Sequence, residues 1–538
     1  MALVATVLAG AALRLWAVQR TVSDASGRPL IDDSYYYFAL GRNLAGGAGF
    51  RIDAEHVTTG FQPLWGLLCA LPFWLVPGAA ITGVQVLGVI VAIGTVIALY
   101  ALVARLSGSP AAGLFAASLW AVAPPAVVYS VNGMDTGLAV LGAVLLLVCA
   151  QAMISERNLG SVGVAGLACG AAILARVDLL FLGAAVALAL LVFPPLPRRW
   201  RTVSVFVACG AIPLLPWLLI ALSLGKSPLP ESGAAVRLMS TLLEGGGDSP
   251  FPRGLLREVP RFADRAAGNL HLLDAIPPPV VGGDGQPAVM PEASRAALLW
   301  PSLWLTLWLA LWAMARTRIE RTLLGIWSVY AVLTLVGYAG YVGGGWFYGR
   351  YGTPLAETFG ALAVAILGAR VAQARGSARP WLVGAATIYL LLTFVRFTTQ
   401  LHSAAGYRWL WGRPQPLDGF ERTSQWLNTH LEPDDRVGVF QSGLIGFRAA
   451  MPVINLDGKV NADARLAMER GRMWEYLCET RIDYVADWQA LVGPLLAERS
   501  AAWQLTNLQV MEVIDRGDGN DDWKVYRVDR ANCREDDR

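Results

Sequence analysis

The sequence predicts a polytopic α-helical membrane protein, with about eleven transmembrane helices followed by an extracytoplasmic α/β domain at the C-terminus. Three observations predict this fold class. Of the 538 residues, 55% are hydrophobic and only 15% are charged, whereas about 25% of the residues of a soluble protein are charged. Apolar stretches near the roughly 20 residues that cross a bilayer recur along most of the chain. Basic residues gather in alternate turns between those stretches.

The apolar stretches predict where the chain crosses the membrane. Eleven spans are predicted, at residues 2–19, 80–104, 110–129, 136–153, 160–176, 179–195, 203–223, 296–314, 322–342, 353–372 and 381–398. The turns on one side of these spans contain eleven basic and two acidic residues, and the long loops 20–60 and 224–295 on the other side contain eleven basic and thirteen acidic residues. Because cytoplasmic loops are enriched in lysine and arginine, this bias predicts a multi-pass protein of the cytoplasmic (inner) membrane with its N-terminus inside.

One apolar segment does not fit this alternation. Residues 61–77 are short for a span and contain three prolines. Counting them as a span would place the basic turns outside, so we interpret them as a re-entrant or interfacial helix on the outer face. The first span can alternatively be a cleaved signal peptide, but it lacks the basic segment that usually precedes one.

The sequence pattern changes at about residue 415. Two predicted helices, at 420–431 and 464–481, alternate with predicted strands at 436–441, 452–457, 482–488 and 508–513. Such alternation favours a small α/β domain. The predicted domains are a transmembrane domain at 1–410, with outer loops 20–79 and 224–295, and an extracytoplasmic domain at 415–538, called the tail below.

The chain contains six cysteines. Four of them lie in apolar stretches, where small core residues are expected. The other two, Cys478 and Cys533, lie in the polar tail. They can pair with each other, although nothing in their spacing requires it.

The sharpest functional signal lies in the first outer loop. Residues 31–44 predict an amphipathic helix that can lie on the membrane surface. Asp32 and Asp33 stand at its start, where an aspartate can cap the free N–H groups of the helix. Since one aspartate suffices for a cap, two adjacent ones indicate a second role, as a catalytic base or as two oxygen ligands of a divalent cation. Capping alone is the alternative.

Further charged residues gather at the predicted outer ends of other spans, where an enzyme that acts at the outer leaflet needs them. Asp135 precedes a span and is either a second catalytic carboxylate or a cap. Arg176 and Asp178 flank another turn and are either site residues or a structural ion pair. Lys226 begins a long loop and is either a ligand or an interfacial lysine.

A glycine-rich turn at residues 343–352, with the sequence GGGWFYGRYG, is a candidate anion site. Its glycines let the backbone approach a ligand closely, and Arg350 offers a planar fork for a phosphate. Tyr348 lies in the same turn, where interfacial anchoring explains an aromatic side chain equally well. The remaining candidates in predicted outer segments are His56, Gln62 and Asp457.

Several of these segments resemble a known family. DDSYYYFALGRNLAGGAGF, followed by TTGFQPLW, resembles the first outer loop of membrane glycosyltransferases of the GT-C superfamily. GMDT, LARVD, GGGWFYGRYGTPL and NLDGKVN are similar to stretches of bacterial members, which include lipid-A aminoarabinose transferases, protein mannosyltransferases and mycobacterial arabinofuranosyltransferases. The resemblance implies transfer of a sugar from a polyprenyl-phosphate donor to an acceptor outside the cytoplasm, usually with inversion. It also implies that Asp32 or Asp33 is the first acidic site residue and Asp135 the second.

The chemistry of this transfer agrees with the candidate residues. A carboxylate can take the proton of the acceptor hydroxyl as that hydroxyl attacks the anomeric carbon. Nearby cations can stabilise the departing phosphate. The candidates for donor binding are Arg350, Arg176, Lys226 and Tyr348. A divalent metal ion at Asp32 and Asp33 is possible by ligand type, but two oxygen ligands do not establish one.

Two other functions stay open from the sequence, a transporter or flippase of lipid-linked sugars and a polysaccharide polymerase or ligase. A transporter should carry its charged groups near the middle of the membrane, whereas here they gather toward one face. The expected partners are the lipid-linked donor, a glycan, lipid or protein acceptor, and membrane lipids, but no nucleic acid. The tail is expected to bind the acceptor or to act as a scaffold.

Reporter fusions test the predicted topology. Fusions at about residues 199 and 319 are expected to report the cytoplasmic side, because the surrounding turns are rich in arginine. Fusions at about residue 260 and after residue 415 are expected to report the outside. Phosphatase and fluorescent-protein activities of paired fusions measure the two outcomes. A cytoplasmic tail would contradict the predicted topology and the predicted position of the site.

Overall fold

A computed structural model shows a helical membrane part followed by a small sheet. It describes residues 1–23, 29–53, 55–193, 198–244, 258–263, 296–373, 417–496, 507–514 and 523–533, with scattered positions between 380 and 395. The helices before residue 374 are α1 (Ala2–Ser23), α2 (Asp32–Ala45), α3 (Pro63–Leu75), α4 (Ala80–Ser107), α5 (Pro110–Val122), α6 (Pro124–Val131), α7 (Thr136–Glu156), α8 (Leu159–Ala175), α9 (Leu180–Val192), α10 (Arg199–Ser223), α11 (Ser232–Glu244), α12 (Ala296–Met314), α13 (Arg318–Gly337) and α14 (Tyr348–Gln373). The chain is an integral membrane protein.

Six helices in the described part of the chain are long and apolar enough to cross a membrane, namely α1, α4, α7, α10, α13 and α14. Helices α5 and α6, bent by 63° at their junction, pass the same test together. The predicted spans at 160–176, 179–195 and 296–314 correspond to the shorter apolar helices α8, α9 and α12. Most of the predicted span at 381–398 lies outside the described residues, so the number of eleven spans stays a prediction.

The first long loop forms two helices that pack against each other. Helix α3 lies within the segment interpreted as re-entrant or interfacial, and its 13 residues rise only about 20 Å, less than the roughly 30 Å of a bilayer core. Helix α2 is the predicted amphipathic helix, but it is buried around most of its circumference. Gly41 permits the close crossing, because a Cβ atom there would lie 2.8 Å from the Cys69 carbonyl oxygen.

The tail contains the predicted mixture of helices and strands. Its helices are α15 (Leu417–His430), α16 (Gly443–Arg448), α17 (Ala462–Glu469), α18 (Met473–Glu479) and α19 (Gln489–Leu496), and its strands are β1 (Val437–Val439), β2 (Val453–Asn455), β3 (Tyr484–Trp488), β4 (Leu508–Ile514) and β5 (Trp523–Val528). The strand order is β2-β1-β3-β5-β4. The β1 strand pairs in parallel with β2 and β3, and β5 pairs antiparallel with β3 and β4.

The structure corrects three details of the predicted tail. The single helix predicted at 464–481 is wrong, because Gly471 adopts a φ of 66° and separates α17 from α18. Helix α16 was not predicted, since it has only six residues, two of which are glycines that lower helix propensity. Strand β5 was also not predicted, although it lies between β3 and β4 in the sheet. Cys478 and Cys533 form the disulfide that the sequence left open, with their Cα atoms 5.8 Å apart.

The tail and the first long loop share one hydrophobic core. Tyr36, Phe38 and Leu40 of α2 are buried in the same cluster as Leu444 and Ile445 of α16. Close backbone packing accompanies this core, because a Cβ atom on Gly443 would lie 2.2 Å from the Asp32 carbonyl oxygen. Helix α2 therefore lies between α3 and α16, and the tail is packed against the polar start of the first loop.

Substitutions in α16 test this packing. Gly443→Ala is expected to destabilise the contact between tail and loop by about 1–3 kcal/mol, because the new methyl group overlaps the backbone of α2. Gly446→Ala is the matched control, since its Cβ atom would lie 3.6 Å from the nearest atom of Val453. That control should keep or raise stability, because alanine favours helix by about 0.5–1 kcal/mol over glycine. Thermal unfolding and limited proteolysis of the tail measure both effects. Equal behaviour of the two variants would contradict the close contact.

Candidate active site

Three charged side chains from distant parts of the chain meet at the start of α2. The Asp33 carboxylate lies 3.1 Å from Nη1 of Arg350 and 3.7 Å from Nζ of Lys459. Arg350 comes from the glycine-rich turn at the start of α14, and Lys459 comes from the loop between β2 and α17. The three side chains keep 18%, 16% and 15% of their surface exposed, respectively. We call them the ion cluster.

The two adjacent aspartates have different surroundings. Asp32 is buried, and its Oδ1 accepts the N–H of Leu444 at 2.7 Å. Burial raises the pKa of Asp32 well above its usual value; the bond from Leu444 opposes this rise and the charge of Asp33 adds to it. Burial would also raise the pKa of Asp33, but the charges of Lys459 and Arg350 outweigh burial and lower it. Asp33 is therefore the carboxylate that stays ionised near neutral pH.

Asp135 lies behind the ion cluster, just before α7. Its residue surface is only 3% exposed, and its Oδ1 accepts a hydrogen bond from the Tyr37 hydroxyl at 3.2 Å. Burial raises the pKa of this carboxyl, while the charges of Arg350 and Arg176 partly offset the rise. The sequence predicted a second acidic site residue or a cap here, and the structure places the side chain against α2.

Arg176 and Asp178 form a buried bidentate ion pair, the structural alternative that the sequence left open. Nε and Nη2 of Arg176 lie 2.8 Å from Oδ1 and Oδ2 of Asp178. The same guanidinium donates to the carbonyl oxygens of Arg350 and Tyr351 at 3.1 and 3.0 Å, and the Tyr338 hydroxyl donates to Asp178 at 2.8 Å. The nitrogens of Arg176 thus point at protein acceptors, and its ion pair with Asp178 fixes the start of α14.

Three other predicted residues have partners outside the ion cluster. Lys226 lies 4.0 Å from the carboxylate of Glu231. Tyr348 is buried, and its hydroxyl donates to Glu258 at 3.0 Å. Gln62 accepts the N–H of Val177 at 3.0 Å, so it connects α3 to the turn that carries Arg176.

The tail supplies the functional residue that sequence reasoning missed. The Lys459 ammonium lies 3.1 Å from Asp457, whose other carboxylate oxygen accepts the Lys459 backbone N–H at 2.8 Å. Gly60 of the first loop packs against this segment, because a Cβ atom there would lie 2.0 Å from the Lys459 carbonyl oxygen. Lys459 lies in the NLDGKVN segment, two positions after Asp457, which is the candidate that the sequence predicted there.

A second polar contact joins the first loop to the tail. Nδ1 of His56 lies 2.8 Å from Asp53, and the same Asp53 oxygen accepts the backbone N–H of Asn455 at 3.4 Å. Glu55 pairs with Arg436 of the tail at 2.8 Å. Burial lowers the pKa of His56, but the bond to Asp53 and the negative charges around it outweigh burial and raise that pKa.

The two aspartates do not offer an open cation site. In the part of the chain that the structure describes, no group of three or more His, Cys, Asp and Glu side chains could hold a metal ion. Asp33 faces two cationic side chains, and Asp32 faces the Leu444 N–H. A divalent cation between them would be repelled by Arg350 and Lys459, so no catalytic step is assigned to a metal.

Comparisons with known proteins agree with this architecture. Residues 62–220 match the family model described as dolichyl-phosphate-mannose-protein mannosyltransferase, and residues 408–526 match a domain of unknown function, DUF8728. A comparison with curated proteins finds no match. ArnT from Cupriavidus metallidurans, crystallised with undecaprenyl phosphate, is 14% identical with a TM-score of 0.56, over 97% of each chain. The chain has the GT-C fold.

Two further solved structures share the GT-C fold. The apo oligosaccharyltransferase from Archaeoglobus fulgidus is 14% identical with a TM-score of 0.53, over 99% of this chain and 75% of the other. AglB from the same archaeon, bound to an inhibitory peptide and dolichol-phosphate, is 13% identical with a TM-score of 0.53, over 99% and 74%. At these identities the likeness establishes the GT-C fold, and the function must be argued from the site itself.

The His56 contact predicts a dependence of stability on pH. The folded protein binds the His56 proton more tightly than the unfolded chain, so this contribution is present below the unfolded pKa of about 6.5 and is lost as the pH rises through the higher folded pKa. The melting temperature should therefore fall as the pH rises above about 6.5, and His56→Gln should flatten this slope. His430→Gln is the control, because it also removes a histidine, but one whose ring bonds to an uncharged group, the Trp426 carbonyl oxygen. An unchanged slope in His56→Gln would contradict the prediction.

Proposed function

We propose that this protein is a glycosyltransferase that moves a sugar from a polyprenyl-phosphate donor to an acceptor hydroxyl, with inversion at the anomeric carbon. The observation that carries the proposal is the ion cluster, in which an ionised carboxylate lies beside a guanidinium and an ammonium group. The GT-C fold and the mannosyltransferase family match support this reaction class. The undecaprenyl phosphate in the ArnT crystal and the dolichol-phosphate in the AglB structure support a lipid-phosphate donor.

The ion cluster provides the two groups that the reaction requires. Asp33 takes the proton of the acceptor hydroxyl while the hydroxyl oxygen forms the new bond to the anomeric carbon. The bond from that carbon to the phosphate oxygen breaks, and its electron pair stays on the phosphate. Arg350 stabilises the phosphate as it departs, because its guanidinium can bind two phosphate oxygens at once.

Asp33 and Arg350 are in direct contact within the ion cluster. A contact of 3.1 Å between Asp33 and Arg350 leaves no space for a sugar between base and phosphate. Inversion requires these groups on opposite faces of the sugar ring, as in inverting glycosidases. Donor binding must therefore separate Asp33 from Arg350, and the phosphate then takes the place of the Asp33 carboxylate beside the Arg350 guanidinium.

The surroundings of the two aspartates favour Asp33 as the base. From sequence position alone Asp32 is slightly favoured as the base, because Asp33 lies nearer the predicted helix and is the better placed cap. In the structure the side chain of Asp32 is bonded to the tail, whereas that of Asp33 contacts two cations and is partly exposed. A base needs access to the acceptor hydroxyl, so Asp32 is assigned to holding α16 against α2. Asp135 and the pair formed by Arg176 and Asp178 then position α2 and α14.

Two observations support a site at the outer face of the cytoplasmic membrane. The arginine-rich turns predict that the long loops and the tail lie outside. The disulfide between Cys478 and Cys533 is typical of an oxidising compartment outside the cytoplasm. A lipid-linked sugar presents its phosphate at the membrane surface, where the start of α2 would then meet it.

Paired substitutions test the assignment of the base. Asp33→Asn should lower turnover by about 10²- to 10⁴-fold, because asparagine keeps the shape but cannot accept the proton. Asp32→Asn is the control, since its amide oxygen can still accept the Leu444 N–H, and turnover should stay within a few-fold. The measurement is release of polyprenyl phosphate from a panel of polyprenyl-phosphate sugars by purified protein in nanodiscs, with the melting temperature of each variant.

Three results would contradict parts of the proposal. Wild-type turnover in Asp33→Asn with a large loss in Asp32→Asn would reverse the roles of the two aspartates. Wild-type turnover in both variants would make the acidic start of α2 structural. Movement of the lipid-linked sugar across the membrane of proteoliposomes that contain the protein, without release of polyprenyl phosphate, would identify a flippase.

A further inference from the structure

We propose that Lys459 is a second ligand of the donor phosphate, supplied by the tail, and that it acts mainly on the phosphate as it departs. This inference rests on the proposed glycosyl transfer and extends it, since it makes the tail a part of the donor site. From the sequence, the tail was expected to bind the acceptor or to act as a scaffold. The position of Lys459 instead assigns the tail to the donor phosphate.

The placement of Lys459 matches that of Arg350. Both cations contact the Asp33 carboxylate, at 3.7 and 3.1 Å. Both also lie over the ring of Phe347, with the lysine nitrogen 5.5 Å and the guanidinium carbon 4.9 Å from the ring centre. Their side chains are exposed to nearly the same extent, 15% and 16%. An anion that displaces Asp33 from one cation therefore comes within reach of the other.

The position of the lysine is fixed by the backbone around it. Gly60 packs directly on the Lys459 carbonyl group, where a Cβ atom would overlap at 2.0 Å. Gly458 adopts a φ of 77°, which only glycine adopts without strain. The side chain of Asn461 accepts the N–H groups at the start of α17 and so ends the loop. The ammonium group is thus held toward the ion cluster by a tight loop, unlike a mobile surface lysine.

The charge of Lys459 is kept by its neighbours. Burial lowers the pKa of its ammonium group, but the carboxylates of Asp457 and Asp33 outweigh burial and raise that pKa. Asp457 stays beside the lysine at 3.1 Å and is itself buried. When the donor displaces Asp33, the ammonium group therefore keeps one carboxylate partner and turns its remaining N–H donors to the phosphate.

The balance of charge during the reaction explains why the second cation acts late. The donor phosphate is a diester with one negative charge, and the departing polyprenyl phosphate is a monoester that carries a second one. Asp33 loses its charge in the same step, because it takes the acceptor proton. One negative charge thus moves from Asp33 to the phosphate, which the two cations already contact in the donor complex. Lys459 should therefore bind the product and the transition state more tightly than the donor.

The experiment compares Lys459→Met with Arg350→Ala and Lys459→Arg in purified protein in nanodiscs. It measures kcat and KM for the donor, and the Kd for undecaprenyl phosphate as the product probe. Lys459→Met should lower kcat by roughly 10²-fold, the usual effect of removing one transition-state donor, with a much smaller change in donor KM. It should also weaken undecaprenyl phosphate binding more than donor binding, and Lys459→Arg should recover part of both losses.

Matched variants separate this role from a structural one. Lys524→Met removes a tail lysine of β5 that bonds to Gln489, and it should leave kcat and product binding at wild-type values. If Lys459→Met lowers the melting temperature more than Lys524→Met, Lys459→Gln replaces it, because glutamine keeps N–H donors for Asp457 without the charge. Wild-type kcat and product Kd in Lys459→Met, or in Lys459→Gln where it replaces that variant, would overturn the inference. Wild-type protein that neither binds undecaprenyl phosphate nor consumes any donor would instead overturn the proposed function.

Discussion

The ion cluster at Asp33 determines how the distant parts of this chain must be arranged. Its carboxylate pairs with an arginine 317 positions later in the sequence and with a lysine from the tail. Removing charged groups from water costs several kcal/mol for each ion unless they are paired. The start of α2, the glycine-rich turn and the loop before α17 therefore have to lie together for any of the three charges to be stable where it is. Three segments that are remote in sequence thus form one site.

The two arginines near this cluster show how a scaffold and a reactive group can be distinguished. The guanidinium of Arg176 is buried, and four of its five N–H groups are directed at Asp178 and at two backbone carbonyl groups. Arg350 is partly exposed, and its contact with Asp33 is one that a phosphate can replace. Arg176 bonds to the backbone of Arg350 itself. The ion pair of Arg176 and Asp178 thus fixes the backbone of the residue that exchanges partners in the proposed reaction.

The packing of the tail has a direct consequence for its role. A domain that only captured an acceptor could be joined by a flexible linker and a polar interface. Here the apolar side chains of α2 and α16 form a common core, and two glycines, Gly60 and Gly443, allow backbone-to-backbone contact. Such close packing has low compressibility and holds its groups in place. It fixes the position of Lys459 relative to Arg350, as the proposed transfer requires.

The sequence by itself determined the features that depend on local pattern. Apolar length gave the membrane helices, alternation gave most of the tail strands, and the paired aspartates with the arginine-containing glycine turn marked two of the three parts of the ion cluster. It could not predict α16 or the break at Gly471, because six-residue helices and single left-handed glycines leave almost no periodic signal.

Only the tertiary structure decided which candidates meet. Arg176 and Arg350 look alike in sequence, and their roles differ because one has an aspartate two positions away and the other has one on a distant helix. Lys226 and Lys459 are likewise equivalent as residues, yet only Lys459 is carried to Asp33, by the docking of the tail. The electrostatic environment of a side chain depends on burial and on neighbours from other segments, and a linear pattern contains neither.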